Sequence, residues 1–129
     1  MSAQEVTQAA AIAALRAALG EVAVFDAPPV RSALPHVVVE PVLLVDWSAK
    51  DWRGREGRIT VSAYDGGERP ARLRALAGAI EDAVEAMPAD LGAGWRLVSA
   101  RLARSRIARA SGERWVATSE FVARIYREN

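Results

Sequence analysis

Between Asp46 and Asp65 the chain reads DWSAKDWRGREGRITVSAYD, and this run constrains the fold more than any other. Its second part alternates strictly. Ile59, Val61 and Ala63 fall on one side of an extended segment, with Arg58, Thr60, Ser62 and Tyr64 on the other. A period of two marks a strand with one buried face, so a sheet must pack against something on that side. The first part holds Trp47, Lys50, Trp52, Arg53 and two glycines, and reads as a long connection between two strands. It is rich in contact-making side chains and poor in groups that do chemistry. Exposed Trp and Arg give large contact area and directional bonds, which suits a protein–protein surface.

The segments on either side supply the partners for that strand. Ser2 with Glu5 forms a capping-box pattern ahead of a helix that runs to about Leu19 and stops at Gly20, with Ile12, Leu15 and Leu19 on its apolar stripe. Val22 to Phe25 reads as a short strand, closed by the donor-poor Asp26-Ala-Pro-Pro29. His36 to Val45 is a β-branched strand in which Pro41 forces an edge position or a bulge. After the Asp65-Gly66-Gly67 turn, Pro70 opens a second helix whose buried face is Leu73, Leu76, Ala77, Ile80, Val84 and Met87. Glu81, Asp82 and Glu85 lie largely off that face and read as solvated. Two long strands finish the chain, about Trp95–Ile107 and Arg114–Arg127, the last with Trp115, Ala117, Ser119, Phe121, Ala123 and Ile125 on one face.

The predicted order is therefore α-β-β-β-α-β-β. It makes an α+β fold, an antiparallel or mixed sheet with two helices packed on one face, in a single domain spanning 1–129. Strands of about a dozen residues reach roughly 40 Å, so part of the final hairpin is expected to project beyond the core. The chain has 129 residues and no cysteine, which leaves no disulfide framework, thiolate metal site or cysteine nucleophile. No segment approaches the roughly 18 consecutive apolar residues of a membrane span, and the start lacks a basic leader, so the expectation is a soluble, cytoplasmically made protein. Net charge is only +1. Lys50 is the sole lysine among seventeen basic residues, an arginine excess that fits GC-rich coding as well as interface use.

Candidate chemistry is thin. His36, the only histidine, follows Pro35 with no serine or carboxylate at a diagnostic spacing, and one His is too few for a zinc site. It reads as a hydrogen-bonding residue at a strand edge. Asp46 and Asp51 sit near Lys50 and Arg53, which suggests ion pairs. Gly54-Arg55-Glu56-Gly57 lacks the spacing and following helix of a phosphate loop. No catalytic residue, cofactor or metal is implied. From Arg96 to Arg114 there are six arginines against one acid, Glu113. If Arg104 and Arg106 share a strand face with Val98, Ala100 and Leu102, that face turns from apolar to basic along its length. Such an end suits nucleic-acid phosphates, the acidic surface of a neighbouring subunit, or plain solvent.

Several segments, in order, resemble the small tail terminator (tail-completion) proteins of siphophage-like particles and bacterial gene transfer agents. They are the alanine-rich first helix, the strand ending at Phe25-Asp26-Ala-Pro-Pro29, Leu34-Pro35-His36-Val37-Val38, Asp46-Trp47-Ser48 through Gly54-Arg55-Glu56, Ile59–Tyr64, and the hairpin from Arg96-Leu-Val98 onwards. Trp52 is a departure in a loop expected to vary. The resemblance implies a structural particle component with no catalytic residues. It implies a homo-oligomer, typically a hexameric ring, on the head-proximal end of the tail tube. The ring would stop tube polymerisation and meet the neck (stopper) proteins at the head–tail junction, with DNA passing through its lumen and no membrane partner. Assembly would take place in the bacterial cytoplasm. Interface residues are then expected at Trp47, Lys50, Trp52 and Arg53, and at Arg104 and Arg106, with core-capping tryptophans as the alternative. A small nucleic-acid-binding module using the basic hairpin is the reading from a different class, and a small-molecule enzyme around His36 a third.

Overall fold

A computed structural model describes residues 1–128. Helix α1 (Ala3–Ala18) is followed by strands β1 (Ala23–Phe25), β2 (His36–Val39), β3 (Leu43–Asp46) and β4 (Trp52–Gly66). Helix α2 (Ala71–Glu85) precedes β5 (Asp90–Gly92), β6 (Trp95–Arg109) and β7 (Arg114–Glu128). All seven strands form one sheet, in the order β1-β2-β4-β7-β6-β5, with β3 also on β4. Only the β1–β2 pairing is parallel. Both helices lie on the same face, so the α+β architecture expected from the pattern is the one observed.

The frame is a triplet of fifteen-residue strands, β4, β7 and β6. β4 and β7 pair without interruption from Trp52 opposite Glu128 to Gly66 opposite Arg114. Their inward-facing residues include Ile59, Val61, Ala63, Ala117, Phe121 and Ala123, all buried, and these meet Leu15 of α1 and Leu73, Ile80 and Val84 of α2. Phe121 is fully buried at the centre of β7; truncating a core aromatic costs about 3–5 kcal/mol.

The helices begin and end where their local chemistry dictates. Ser2 accepts from the Glu5 amide while Glu5 accepts from the Ser2 amide, so the capping box is complete. That exchange holds the Glu5 carboxyl below its usual range. Pro70 takes the N-cap of α2 without a side-chain bond. At the junction, Arg72 forks onto Asp65, Nε to Oδ2 at 2.8 Å and Nη2 to Oδ1 at 2.6 Å, and the Gly66 amide donates to Oδ1 at 2.9 Å. Asp65 is buried, yet these donors outweigh its desolvation and hold its carboxyl below the ordinary carboxylate range, the Arg72 bonds most of all.

The segment 36–45 is split where Pro41 lies, giving two strands that pair in tandem with different halves of β4. The break exposes backbone groups, and α1 supplies their partners. Gln8 accepts from the Val42 amide and donates to the Val39 carbonyl, and Gln4 donates to the Val42 carbonyl. The two glutamines are one helical turn apart, so both face the gap. This satisfies groups that would otherwise be buried unpaired.

Three further expectations are corrected. The connection from Asp46 to Gly57 is not a long loop: β4 begins at Trp52 and its first residues pair with β3, which leaves only Trp47–Asp51 as turn. The final hairpin does not project alone, since β4 accompanies β7 over its whole length. Bulges in β6 at Leu97/Ser99 and Leu102/Arg104 divide the face assigned to Val98, Ala100, Leu102, Arg104 and Arg106. Ala100 and Leu102 point to the helices opposite Ala123 and Phe121, whereas Arg104 and Arg106 point away opposite Glu120 and Thr118. Each bulge inserts one residue and so reverses the alternation. β5 was also unforeseen, its three residues lying between Pro88 and Gly94.

Two outcomes follow from this packing. At Gly57 a Cβ would run into the Leu43 carbonyl oxygen across the β3–β4 pair, while at Gly78 on the exposed side of α2 it would meet nothing. Gly57→Ala should therefore lower unfolding stability in urea by about 2 kcal/mol or more through backbone displacement, and Gly78→Ala should raise it by roughly 0.5–1 kcal/mol. Asp65 governs acid stability. Because its native pKa is depressed, its contribution is fully present above the unfolded value of about 3.9 and lost as pH falls through the native value. Urea midpoints measured from pH 7 down to pH 2 should fall less steeply for Asp65→Asn than for the parent in the acid range.

Candidate assembly surface

The sheet face opposite the helices is open. On β3 it presents Leu43 and Val45, 65% and 57% exposed, beside Val122 of β7. Around this apolar strip the charges are paired across strands. Arg124 Nε donates to Glu56 Oε2 at 2.5 Å and Arg104 Nε to Glu120 Oε2 at 2.8 Å. Arg104 and Arg124 of the hairpin therefore belong to a mixed-charge surface, while Arg101 and Arg106 on the same face have no carboxylate partner among the described residues.

At one end of this face the Trp47–Asp51 turn folds back on itself. Trp47 N donates to the Gly54 carbonyl at 2.8 Å, and Ser48 Oγ accepts from Gly54 N at 3.0 Å while donating to Asp46 at 2.5 Å. Arg55, not Lys50 or Arg53, is the ion partner of Asp46, at 3.2 Å. The rings of Trp47 and Trp52 meet edge-on at 5.1 Å, Trp52 meets Tyr126 at 6.2 Å, and the Arg124 guanidinium lies 5.2 Å from the Trp47 ring centre. Both tryptophans are half-buried and lie outside the two core clusters. They form an aromatic platform on the outer face, with Lys50 exposed at the tip.

The predicted interface residues do not converge on one spot. Trp47, Lys50 and Trp52 sit at the Glu128 end of the sheet, whereas Arg106 lies opposite Thr118, ten residues along β7 and therefore about 30 Å away. Arg104 and Arg106 share the outer face with the tryptophans. Arg53 alternates to the inner face, directly opposite Arg127.

Nothing in the residue pattern marks the edge of the sheet. Beyond the short β5 pairing at Trp95 and Arg96 and the bond from the Leu97 amide to the Ala89 carbonyl, β6 has no neighbour on its outer side among the described residues, so the strand from Val98 to Arg109 is an open edge. One of its amides is spoken for: Glu85 of α2, read as solvated, accepts from Leu102 N at 2.9 Å beside the second bulge. The opposite margin of the sheet is different in kind, with β3 apolar outward and β1 only three residues long.

His36 is buried, stacked on Tyr64 at 5.2 Å and edge-on to Phe25 at 5.8 Å, with Nδ1 3.3 Å from the Ala33 carbonyl. It anchors the start of β2. Among the described residues no three His, Cys, Asp or Glu side chains gather as a metal site.

The family model described as tail completion protein gp17 matches residues 5–126. A chain of the structure described as the virion of a native gene transfer agent particle superposes with a TM-score of 0.78 at 25% identity, over 92% of this chain and 93% of that one. No curated protein matches. With the match spanning almost all of its length, from within α1 to near the end of β7, the chain belongs to the tail completion protein gp17 family.

Proposed function

We propose that this tail completion protein forms a closed ring, of six copies, on the head-proximal end of a tail tube. There it ends tube polymerisation and offers a surface to the neck proteins of a phage or gene transfer agent, with DNA crossing its lumen. The observation that carries this reading is the near-complete likeness in fold to a chain of a gene transfer agent virion. Its family description is that of a structural component of the tail.

The chain's own surfaces support a ring. A cyclic assembly needs two different patches on each copy, arranged so that the rotation closes. The sheet offers two unlike margins: the open, arginine-bearing β6 edge and the apolar outer surface of β3 at Leu43 and Val45. A free strand edge is a template for pairing with another chain. The platform of Trp47 and Trp52, with Lys50 at its tip and Arg53 beneath, forms a further contact, to the tube or to the neighbouring copy. Arg104 and Arg106 contribute to the subunit contact from the outer face.

Mass measurement of the purified chain, alone and then with its tail-tube protein, followed by negative-stain imaging, tests the reading. Rings, or density confined to tube ends, are expected; a chain that stays monomeric and ignores tubes overturns it. Trp47→Ala with Trp52→Ala should keep cooperative unfolding, at a cost of about 1–3 kcal/mol from the lost aromatic contacts, while ring formation or tube-end binding falls. Loss of cooperative unfolding instead would make the pair part of the fold's support. Arg104→Glu with Arg106→Glu should weaken assembly, and unchanged assembly would remove them from the interface.

A further inference from the structure

Below the Trp47 turn, on the helix side of the sheet, two arginines share one cross-strand position. Arg53 on β4 and Arg127 on β7 are directly opposite each other. Like charges at such a cross-strand position repel and destabilise a sheet. Arg104, Arg124 and Arg55 have carboxylate partners, whereas several single arginines of the sheet do without one in solvent among the described residues. Arg53 and Arg127 have none there either, and differ in facing each other across one register position.

The two guanidiniums and Arg55 border a hollow of about 340 Å³ whose wall is completed by Trp95, Leu44 and the first residues of α1. Among the described residues, no Asp or Glu lines it. Trp95 is 3% exposed and held between two cations, with Arg127 4.9 Å and Arg55 5.9 Å from its ring centre. Its indole Nε1–H is buried without an acceptor. An indole N–H normally finds a partner when buried, and leaving one unmet costs about 1–3 kcal/mol. The α1 N-terminus adds its partial positive charge to the same wall. Repelling guanidiniums and the Trp95 side chain, whose buried indole N–H has no acceptor, thus meet at one concavity lined by no carboxylate among the described residues.

We infer that this hollow is a receptor for a carboxylate on an acidic segment of a neighbouring protein. A guanidinium fork matches a planar carboxylate with two parallel bonds, and a second arginine opposite it clamps the same group from the other strand. The hollow is recessed between α1 and the sheet, so it admits the end of an Asp or Glu side chain. A duplex backbone, which needs an extended positive track, fits it poorly. Docking removes the Arg53–Arg127 repulsion, so the site strengthens the end of the sheet as it binds. That the acidic segment belongs to another protein of the particle rests on the assembly reading; the anion site itself does not.

The test uses the full chain in low salt, labelled with nitrogen-15, with the four indole N–H resonances assigned by single Trp→Phe changes at positions 47, 52 and 115. Titration with a capped hexaglutamate peptide should shift the Trp95 resonance to saturation. Arg53→Gln with Arg127→Gln should weaken this by about tenfold or more, as expected for losing charge-assisted bonds, while Arg74→Gln, at an exposed position of α2, should leave it unchanged. An unmoved Trp95 resonance, or equal binding by the double variant, overturns the site. Saturation by inorganic phosphate or duplex DNA at lower concentration than the peptide overturns the carboxylate assignment. Because the isolated chain is used, absence of rings in the mass measurement and absence of this shift are separate results.

Discussion

The uninterrupted pairing of β4 with β7 is the constraint on which the rest depends. Fifteen consecutive residue pairs fix one register from Trp52–Glu128 to Gly66–Arg114. A slip of one residue would turn Phe121 outward while Ile59 stays inward, and would bring Glu120 and Arg124 to the helix side. Every other element takes its position from this ladder. β2 and β3 lie end to end along one side of β4, β6 follows β7, and the helices cover the apolar face the ladder creates. The turn platform depends on it as well, because Tyr126 and Arg124 reach Trp52 and Trp47 only in this register.

Legibility in the sequence followed the strength of local signals. α1, α2 and the inward faces of β4 and β7 were readable because apolar spacing, a capping box and strict alternation all pointed to the same structure. β5 was not, since three residues between a proline and glycines carry no period. The start of β4 was hidden because Gly54 and Gly57 leave gaps in the alternation where a side chain would clash with the neighbouring backbone. The faces of β6 were misread because a bulge is a matter of pairing, invisible in one strand alone. Of the residues proposed to make contacts, Trp47 and Trp52 stand out in the sequence by type, whereas Arg127 does not. A signal did exist: Arg53 and Arg55 continue the phase of Ile59 and Val61, and Arg127 continues that of Phe121 and Ile125, so arginines at buried-face positions could have been seen.

Charge on this small chain is arranged by face rather than by amount. A net charge of +1 conceals a sheet whose outer surface mixes two arginine–glutamate pairs with arginines unpaired among the described residues and whose inner end is left positive around Trp95. Mixed surfaces of this kind favour one docking geometry over others through complementarity of sign.

The two bulges of β6 have a consequence for the edge they bend. They cancel each other, so the strand enters and leaves in the same phase and only the stretch from Ser99 to Leu102 is inverted. That inversion places Arg101 in solvent and Ala100 and Leu102 against the core. It also breaks the open edge into short straight runs separated by offsets, with the Leu102 amide already occupied by Glu85. A regular strand arriving from an arbitrary protein can ladder with only one run at a time. A partner must carry matching offsets to engage more, which makes the edge behave as a notched key rather than a smooth rail.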